Sequence, residues 1–108
     1  MSYDIYLEMD AGGPRPMSVE VGNYTSNAVP IWTQALYGKS LADYDGREAR
    51  TVVEELEFGL EQIDMYPERF RDLEPENGWG DLEGATQYLR KLKDMCLRYP
   101  LAKIRISR

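Results

Sequence analysis

Residues 2–10, SYDIYLEMD, determine the fold predicted for this chain. Every second residue is apolar, and the residues between them are acidic or half-polar, which is the period-2 pattern of a strand with one buried face. The apolar set is Tyr3, Ile5, Leu7 and Met9, and the intervening set is Asp4, Tyr6, Glu8 and Asp10. This first strand therefore predicts a sheet with helices packed on its apolar face.

A second strand follows the first after a loose loop. Gly12, Gly13, Pro14 and Pro16 interrupt the alternation, and turn-forming residues of this kind favour a hairpin. Met17, Val19 and Val21 then resume it against Ser18, Glu20 and Gly22. The prediction is a strand that ends near Asn23.

The last strand is predicted to lie beside the first. Ala102, Ile104 and Ile106 alternate with Lys103, Arg105 and Ser107, so its solvent face is basic where that of the first strand is acidic, at Asp4 and Glu8. Opposite charges across neighbouring strands stabilise their pairing. The expected sheet is three-stranded, of order 2-1-3 and antiparallel.

Three helices are predicted between these strands. A short one is capped by Asn27 and runs to Leu36, with Gly38 as its left-handed stop. A long acidic one starts at a capping box formed by Asp45 and Glu48, and Pro67 ends it or begins a short helix.

The other long helix starts at the capping residue Asp81 and ends before Pro100. The fold class predicted for residues 1–108 is a single α+β domain, with two long helices and one short helix on one face of the sheet.

Composition limits the partners. The 108 residues are 43% hydrophobic and 30% charged, which is ordinary for a globular domain, and the net charge is −6. A negative protein has no overall attraction for phosphate backbones or anionic lipids, so we expect no direct nucleic-acid or membrane partner.

There is one cysteine, no basic leader and no apolar run of about 20 residues, so a cytoplasmic protein is expected. No unambiguous apolar stripe indicates an oligomeric state.

Residues suited to catalysis or metal binding are few. The chain has no histidine, which excludes histidine-dependent triads. Cys96 has the helical register of Leu89 and Leu92, so we expect it to be buried and inert. Asp43 and Asp45 lack the further ligands of a calcium loop, and the paired glycines match no phosphate-binding loop. No catalytic residue, metal or cofactor is predicted.

Two loops carry the candidate site. Residues 23–27, NYTSN, lie between a strand and a helix, and Trp32 follows closely. Residues 74–81, EPENGWGD, contain an Asn77-Gly78 turn signal and place a tryptophan between two glycines. Because both loops precede a helix start, we expect them to share one surface. The candidate binding residues are Asn23, Tyr24, Thr25, Asn27, Trp32, Asn77, Trp79 and Asp81.

Two interpretations of Trp79 follow from the sequence. In one, the ring covers a gap in the core and its indole N–H finds an oxygen acceptor. In the other, the ring is partly exposed and contacts a flat ligand or a partner's side chain. The sequence leaves both open.

The motifs NYTSNAVPIW, residues 23–32, and NGWGDLEGA, residues 77–85, resemble those of small uncharacterised proteins of bacteriophages and prophages, especially of actinobacterial hosts. The likeness spans nearly the whole chain. It implies an accessory protein that acts in the host cytoplasm, and it brings no activity and no catalytic residues.

Three functions are compatible with these sequence features. The first is a non-enzymatic binding module that recognises a host protein through the two loops and the acidic helix. The alternative is a protein that sequesters a small molecule or nucleotide in a pocket between the loops. An enzyme that uses carboxylates alone would need two acids at a defined separation, and the sequence does not single out such a pair.

Overall fold

The α+β architecture is seen in a computed structural model that describes residues 2–10 and 12–108. Within these residues the strands are β1 (Ser2–Met9), β2 (Met17–Thr25) and β3 (Lys103–Ser107). The α-helices are α1 (Val29–Ala35), α2 (Val53–Met65), α3 (Pro67–Arg71) and α4 (Leu82–Arg98). Short 3₁₀ helices lie at Ser26–Ala28, Leu41–Tyr44 and Ala49–Thr51.

The sheet has the predicted order β2-β1-β3, and both pairings are antiparallel. Glu8 lies directly opposite Lys103, and its carboxylate is 3.7 Å from the Arg105 guanidinium. Asp4 instead lies opposite Ser107 and accepts a hydrogen bond from the Asn23 amide at 2.8 Å. The charge argument thus placed β3 correctly, although only the Glu8 end of β1 forms the expected ion pair.

One extra residue in β2 creates a bulge. Ile5 pairs with Gly22, whereas the next residue, Tyr6, pairs with Glu20, so Val21 has no partner of its own. Beyond the bulge the alternation is reversed, and Tyr24 lies opposite the buried Tyr3 on the helix side of the sheet. The strand also continues two residues past its predicted end near Asn23, as far as Thr25.

Helix α4 supplies much of the core on that side of the sheet. Six of its side chains are buried: Leu82, Ala85, Tyr88, Leu89, Leu92 and Cys96. The predicted burial of Cys96 is confirmed, since its side chain is fully enclosed and burial raises the pKa of the thiol to about 12. A thiol that stays protonated and enclosed is a poor nucleophile.

The predicted cap of α1 is wrong. Thr25, and not Asn27, caps the preceding 3₁₀ helix, because its hydroxyl accepts a hydrogen bond from the Asn27 amide at 3.2 Å. The α-helix then begins after Ala28 without a side-chain cap. Its predicted stop is correct: Gly38 has a φ of 83° and donates its amide to the Thr33 carbonyl at 2.8 Å.

The predicted capping box at Asp45 and Glu48 is also wrong. Neither residue caps α2, which begins at Val53 after a 3₁₀ turn and has no side-chain cap. The capping box lies earlier, where Ser40 and Asp43 exchange side-chain and backbone hydrogen bonds around the 3₁₀ helix Leu41–Tyr44. The Asp45 carboxylate instead accepts the amide hydrogen of Ile106 at 2.9 Å. Asp45, which was predicted to cap a helix, therefore binds the last strand.

Replacing Asp45 by alanine should lower the free energy of unfolding by about 1 kcal/mol, because the Ile106 amide loses its charged acceptor. Denaturant titration measures the change. Hydrogen exchange should become faster at the Ile106 amide and remain unchanged in the first turn of α2. Asp45→Asn keeps an acceptor oxygen and should lose less than half as much stability. Faster exchange in α2 alone would contradict the assignment.

Candidate functional site

An aromatic cluster lies beneath the two predicted loops. Trp32 is at its centre, and its ring centroid is 5.5 Å from that of Tyr3, 5.5 Å from that of Tyr88 and 6.0 Å from that of Tyr24. The Trp32 indole N–H donates to the Ala85 carbonyl of α4 at 3.2 Å. Only 1% of Trp32 is exposed, so the expectation that it contacts a ligand directly is wrong. Trp32 instead packs in the core beneath the surface, and its indole N–H has a hydrogen-bond partner, as is usual for a buried tryptophan.

Tyr88 joins α4 to the bulged part of the sheet. Its hydroxyl donates to the Gly22 carbonyl at 2.9 Å and lies 3.1 Å from the Tyr3 carbonyl. Burial, reinforced by the charges of Asp4 and Glu20, raises the pKa of this phenol well above its usual value. The neutral donor therefore persists over the whole physiological pH range. The Tyr88 ring stacks on Tyr24 at 5.6 Å, which fixes Tyr24 from one side.

Tyr24 extends from the end of β2 to the start of α4. Its hydroxyl lies 3.4 Å from the Asp81 carboxylate, which also caps α4 by accepting the Gly84 amide at 2.8 Å. A side chain at Gly84 would overlap the Tyr24 hydroxyl and come within 2.8 Å of the ring carbon that bears it. Burial, then the charge of Asp81 and its hydrogen bond, raises the pKa of Tyr24. Glycine at position 84 thus allows the ring to lie on the first turn of the helix.

The loop at residues 74–81 is braced by its own side chains. The Asn77 carboxamide oxygen accepts the Trp79 amide hydrogen at 3.0 Å, and Gly78 between them has a φ of 78°. An asparagine that bonds the backbone two residues on forms a tight turn. The Glu74 carboxylate accepts the Leu82 amide at 2.9 Å, which ties the start of the loop to the first turn of α4.

The two predicted loops meet at Gly80. A β-carbon there would lie 3.1 Å from the Thr25 methyl carbon and 3.2 Å from the Ala28 nitrogen, closer than ordinary packing allows. Gly80 also has a φ of 96°, a conformation that side chains rarely adopt. Only glycine fits at this crossing, and the expectation of one shared surface is confirmed.

An open hollow of about 400 Å³ lies over this junction. Its lining, called here the Trp79 surface, consists of Ser2, Asn23, Tyr24, Thr25, Gly78, Trp79, Gly80 and Asp81. Trp79 is 71% exposed, which rules out the interpretation in which it covers a gap in the core. Trp79 lines the hollow together with Tyr24, which is the one member of the aromatic cluster in that lining.

Five of the eight predicted binding residues line the hollow: Asn23, Tyr24, Thr25, Trp79 and Asp81. The other three do not belong to the lining. Trp32 is in the core, and Asn77 shapes the turn before Trp79. Asn27 contributes its backbone to the close packing against Gly80.

Sequence reasoning missed two residues on which the site depends, Gly84 and Tyr88. Gly84 did carry a signal, because a glycine inside a strongly periodic helix suggests a close approach by another group. Tyr88 resembled any other apolar residue of the helix.

The groups at the Trp79 surface suit stacking and hydrogen bonding. They comprise an indole, a phenol, an amide, a hydroxyl and one carboxylate. In the described part of the chain, no three acidic, cysteine or histidine side chains are grouped so as to hold a metal ion. Of the helices in residues 2–10 and 12–108, none is long and apolar enough to cross a membrane.

The acidic helix presents part of its charge to solvent. Glu54, Glu57, Glu61 and Asp64 are exposed. Glu55 is held against the fold by Lys39 at 2.6 Å and Arg47 at 2.7 Å. Partial burial acts to raise the pKa of Glu55, but these two cations outweigh it and lower the pKa overall. Glu55 therefore stabilises the packing of α2, and the other four carboxylates face outward.

Comparison of the chain with protein-family models, curated proteins and solved structures found no match.

Replacing Gly84 by alanine should destabilise the protein by about 1–3 kcal/mol, although glycine to alanine within a helix is normally stabilising. The reason is the overlap with the Tyr24 ring, which Tyr88 and Trp32 hold in place. Thermal or denaturant unfolding measures the change.

The matched control is the same substitution in a Tyr24→Ala background. There Gly84→Ala should become neutral or stabilising, by up to about 1 kcal/mol. Equal effects in both backgrounds would show that Tyr24 does not occupy this space.

Proposed function

We propose that this protein is a non-enzymatic binding module that recognises a protein partner through the Trp79 surface. The observation that carries the proposal is the exposure of 71% of Trp79 on a loop braced at both ends. An exposed tryptophan beside hydrogen-bonding groups is the composition typical of interface hot spots. Because the loop is already ordered by these hydrogen bonds, it loses less conformational entropy on binding. More of the free energy of the contacts then contributes to affinity.

Charge favours a basic partner. Asp81 is exposed at the start of α4, close to Trp79 in sequence, and four carboxylates of α2 face outward. The net charge of −6 adds a long-range attraction for cationic surfaces. A partner with arginine or lysine around an apolar pocket would match both the ring and the acids. The resemblance to phage proteins suggests a host protein of the cytoplasm as this partner.

A second function, sequestration of a small molecule or nucleotide, is favoured by the size of the hollow. About 400 Å³ lies within the range of small-ligand sites, which is roughly 300–1,000 Å³. Tyr24 and Trp79 offer ring faces, and Asn23 offers a donor and an acceptor. The hollow is open, however, and the exposed indole is better suited to a partner that covers it.

Trp79→Ala should abolish partner binding and change the free energy of unfolding by less than about 0.5 kcal/mol, because the ring buries little in the free protein. Immobilised wild-type protein is exposed to a bacterial lysate, and retained proteins are quantified by mass spectrometry. The control is Leu101→Ala, which removes an equally exposed apolar side chain, 76% accessible, outside the Trp79 surface.

The partner should be retained by wild-type protein and by Leu101→Ala, and lost with Trp79→Ala. Equal retention by all three proteins would contradict the proposal. The sequestering function is the correct one if a metabolite or nucleotide raises the melting temperature of the wild-type protein and does not raise that of Trp79→Ala.

A further inference from the structure

A second hollow lies away from the Trp79 surface, where α1, α2 and α3 meet. Its volume is about 490 Å³, and it shares no lining residue with the first. Four aromatic side chains line it: Tyr37, Phe58, Tyr66 and Phe70. We call it the aromatic hollow. Its size suits a small ligand, since such sites typically measure roughly 300–1,000 Å³.

The backbone at Tyr37 is held in a conformation that few side chains adopt. Its φ is 57°, and Tyr37 is the one non-glycine residue with positive φ in the described part of the chain. The ring is 79% exposed and stacks on Phe58 with centroids 5.0 Å apart and planes at 21°. This geometry keeps a flat aromatic wall beside the hollow. Tyr37 directly follows Leu36, the C-cap residue of α1, so its left-handed backbone also ends that helix.

Arg69 supplies a cation at the same hollow. Its guanidinium carbon lies 4.6 Å from the centre of the Tyr66 ring. Four other arginines each lie within 4.0 Å of at least one carboxylate, whereas no carboxylate of residues 2–10 and 12–108 lies that close to Arg69. In a protein of net charge −6, a guanidinium that meets a ring face and no carboxylate remains available to an anion.

Amide side chains complete the lining. Gln34 belongs to α1 and Gln62 to α2, and both line the hollow together with Thr33. Within the described residues, neither glutamine side chain takes part in a hydrogen bond inside the protein, so their donors and acceptors are available to a ligand. Sites for small molecules combine apolar walls with a few convergent polar groups in this way.

We propose that the aromatic hollow binds a small planar aromatic anion, independently of the Trp79 surface. The ligand's ring packs against the Tyr37 and Phe58 wall, and its anionic group pairs with Arg69. A carboxylate and a phosphate monoester share this chemistry, because either can accept two parallel hydrogen bonds from a guanidinium. Gln34 and Gln62 would then bond to the polar edge of the ring system.

The test is a titration of ¹⁵N-labelled protein with two probes, indole-3-acetate and adenosine 5′-monophosphate, followed by amide chemical shifts. At least one probe should give saturable shifts at Gly38 and at the Gln34 or Gln62 side-chain amides. A response to indole-3-acetate alone identifies a carboxylate ligand, and a response to the nucleotide alone identifies a phosphate monoester. Absence of saturable shifts at the hollow with both probes would overturn the proposal.

The need for an anion is tested separately with the neutral analogues indole-3-acetamide and adenosine. Each should bind about tenfold more weakly than its charged counterpart, or not at all. Equal affinity of the neutral and charged forms would show that no cation is involved, and the proposal would be wrong.

Arg69→Gln should weaken binding of the responding probe by about tenfold, since it removes the charged donor. Arg69 is exposed, so the spectrum of the folded protein should otherwise be retained. The control is Arg98→Gln, which removes an exposed cation of α4 that does not line the hollow, and binding should be unchanged. Equal losses in both variants would contradict the role of Arg69. Trp79→Ala should leave the affinity unaltered, which separates this site from the partner surface.

Discussion

The bulge in β2 is the constraint on which the candidate site depends. Because Val21 is an extra residue, the alternation of the strand reverses, and Tyr24 points toward the helices instead of solvent. Only from that side can its ring stack on Tyr88 and its hydroxyl reach Asp81. Without the bulge, Asn23 would occupy the helix side, and the start of α4 would have no aromatic contact with the sheet.

The same contacts explain why an exposed tryptophan can be held in a defined position. Trp32 and Tyr88 fix α4 on the sheet, and Gly80 fits closely against the turn that follows β2. Trp79 is next to that crossing, so its backbone is constrained while its ring faces solvent. An apolar side chain in such a position adds little to the stability of the free protein, which favours a role in recognition.

The sequence predicted those features that depend on local pattern. Alternation located β1 and β3, opposite charge placed them side by side, and Asp81 was correctly identified as the cap of α4. The predictions that were wrong concern residues whose roles depend on tertiary contacts. Nothing local distinguishes an aspartate that caps a helix from Asp45, which binds a distant strand, or an exposed tryptophan from Trp32, which is buried. A bulge likewise depends on pairing across strands, so the alternation of one strand does not reveal it.

The Trp79 surface depends on the junction between the two loops, which nuclear Overhauser effects measure directly. An α-hydrogen of Gly80 should show strong cross-peaks to the Thr25 methyl group and to the Ala28 amide, since a β-carbon there would lie 3.1 Å from the Thr25 methyl carbon and 3.2 Å from the Ala28 nitrogen. These cross-peaks should persist in Trp79→Ala, because the exposed ring does not hold the loops together. Their absence from the wild-type protein would contradict the shared surface and the function proposed for it.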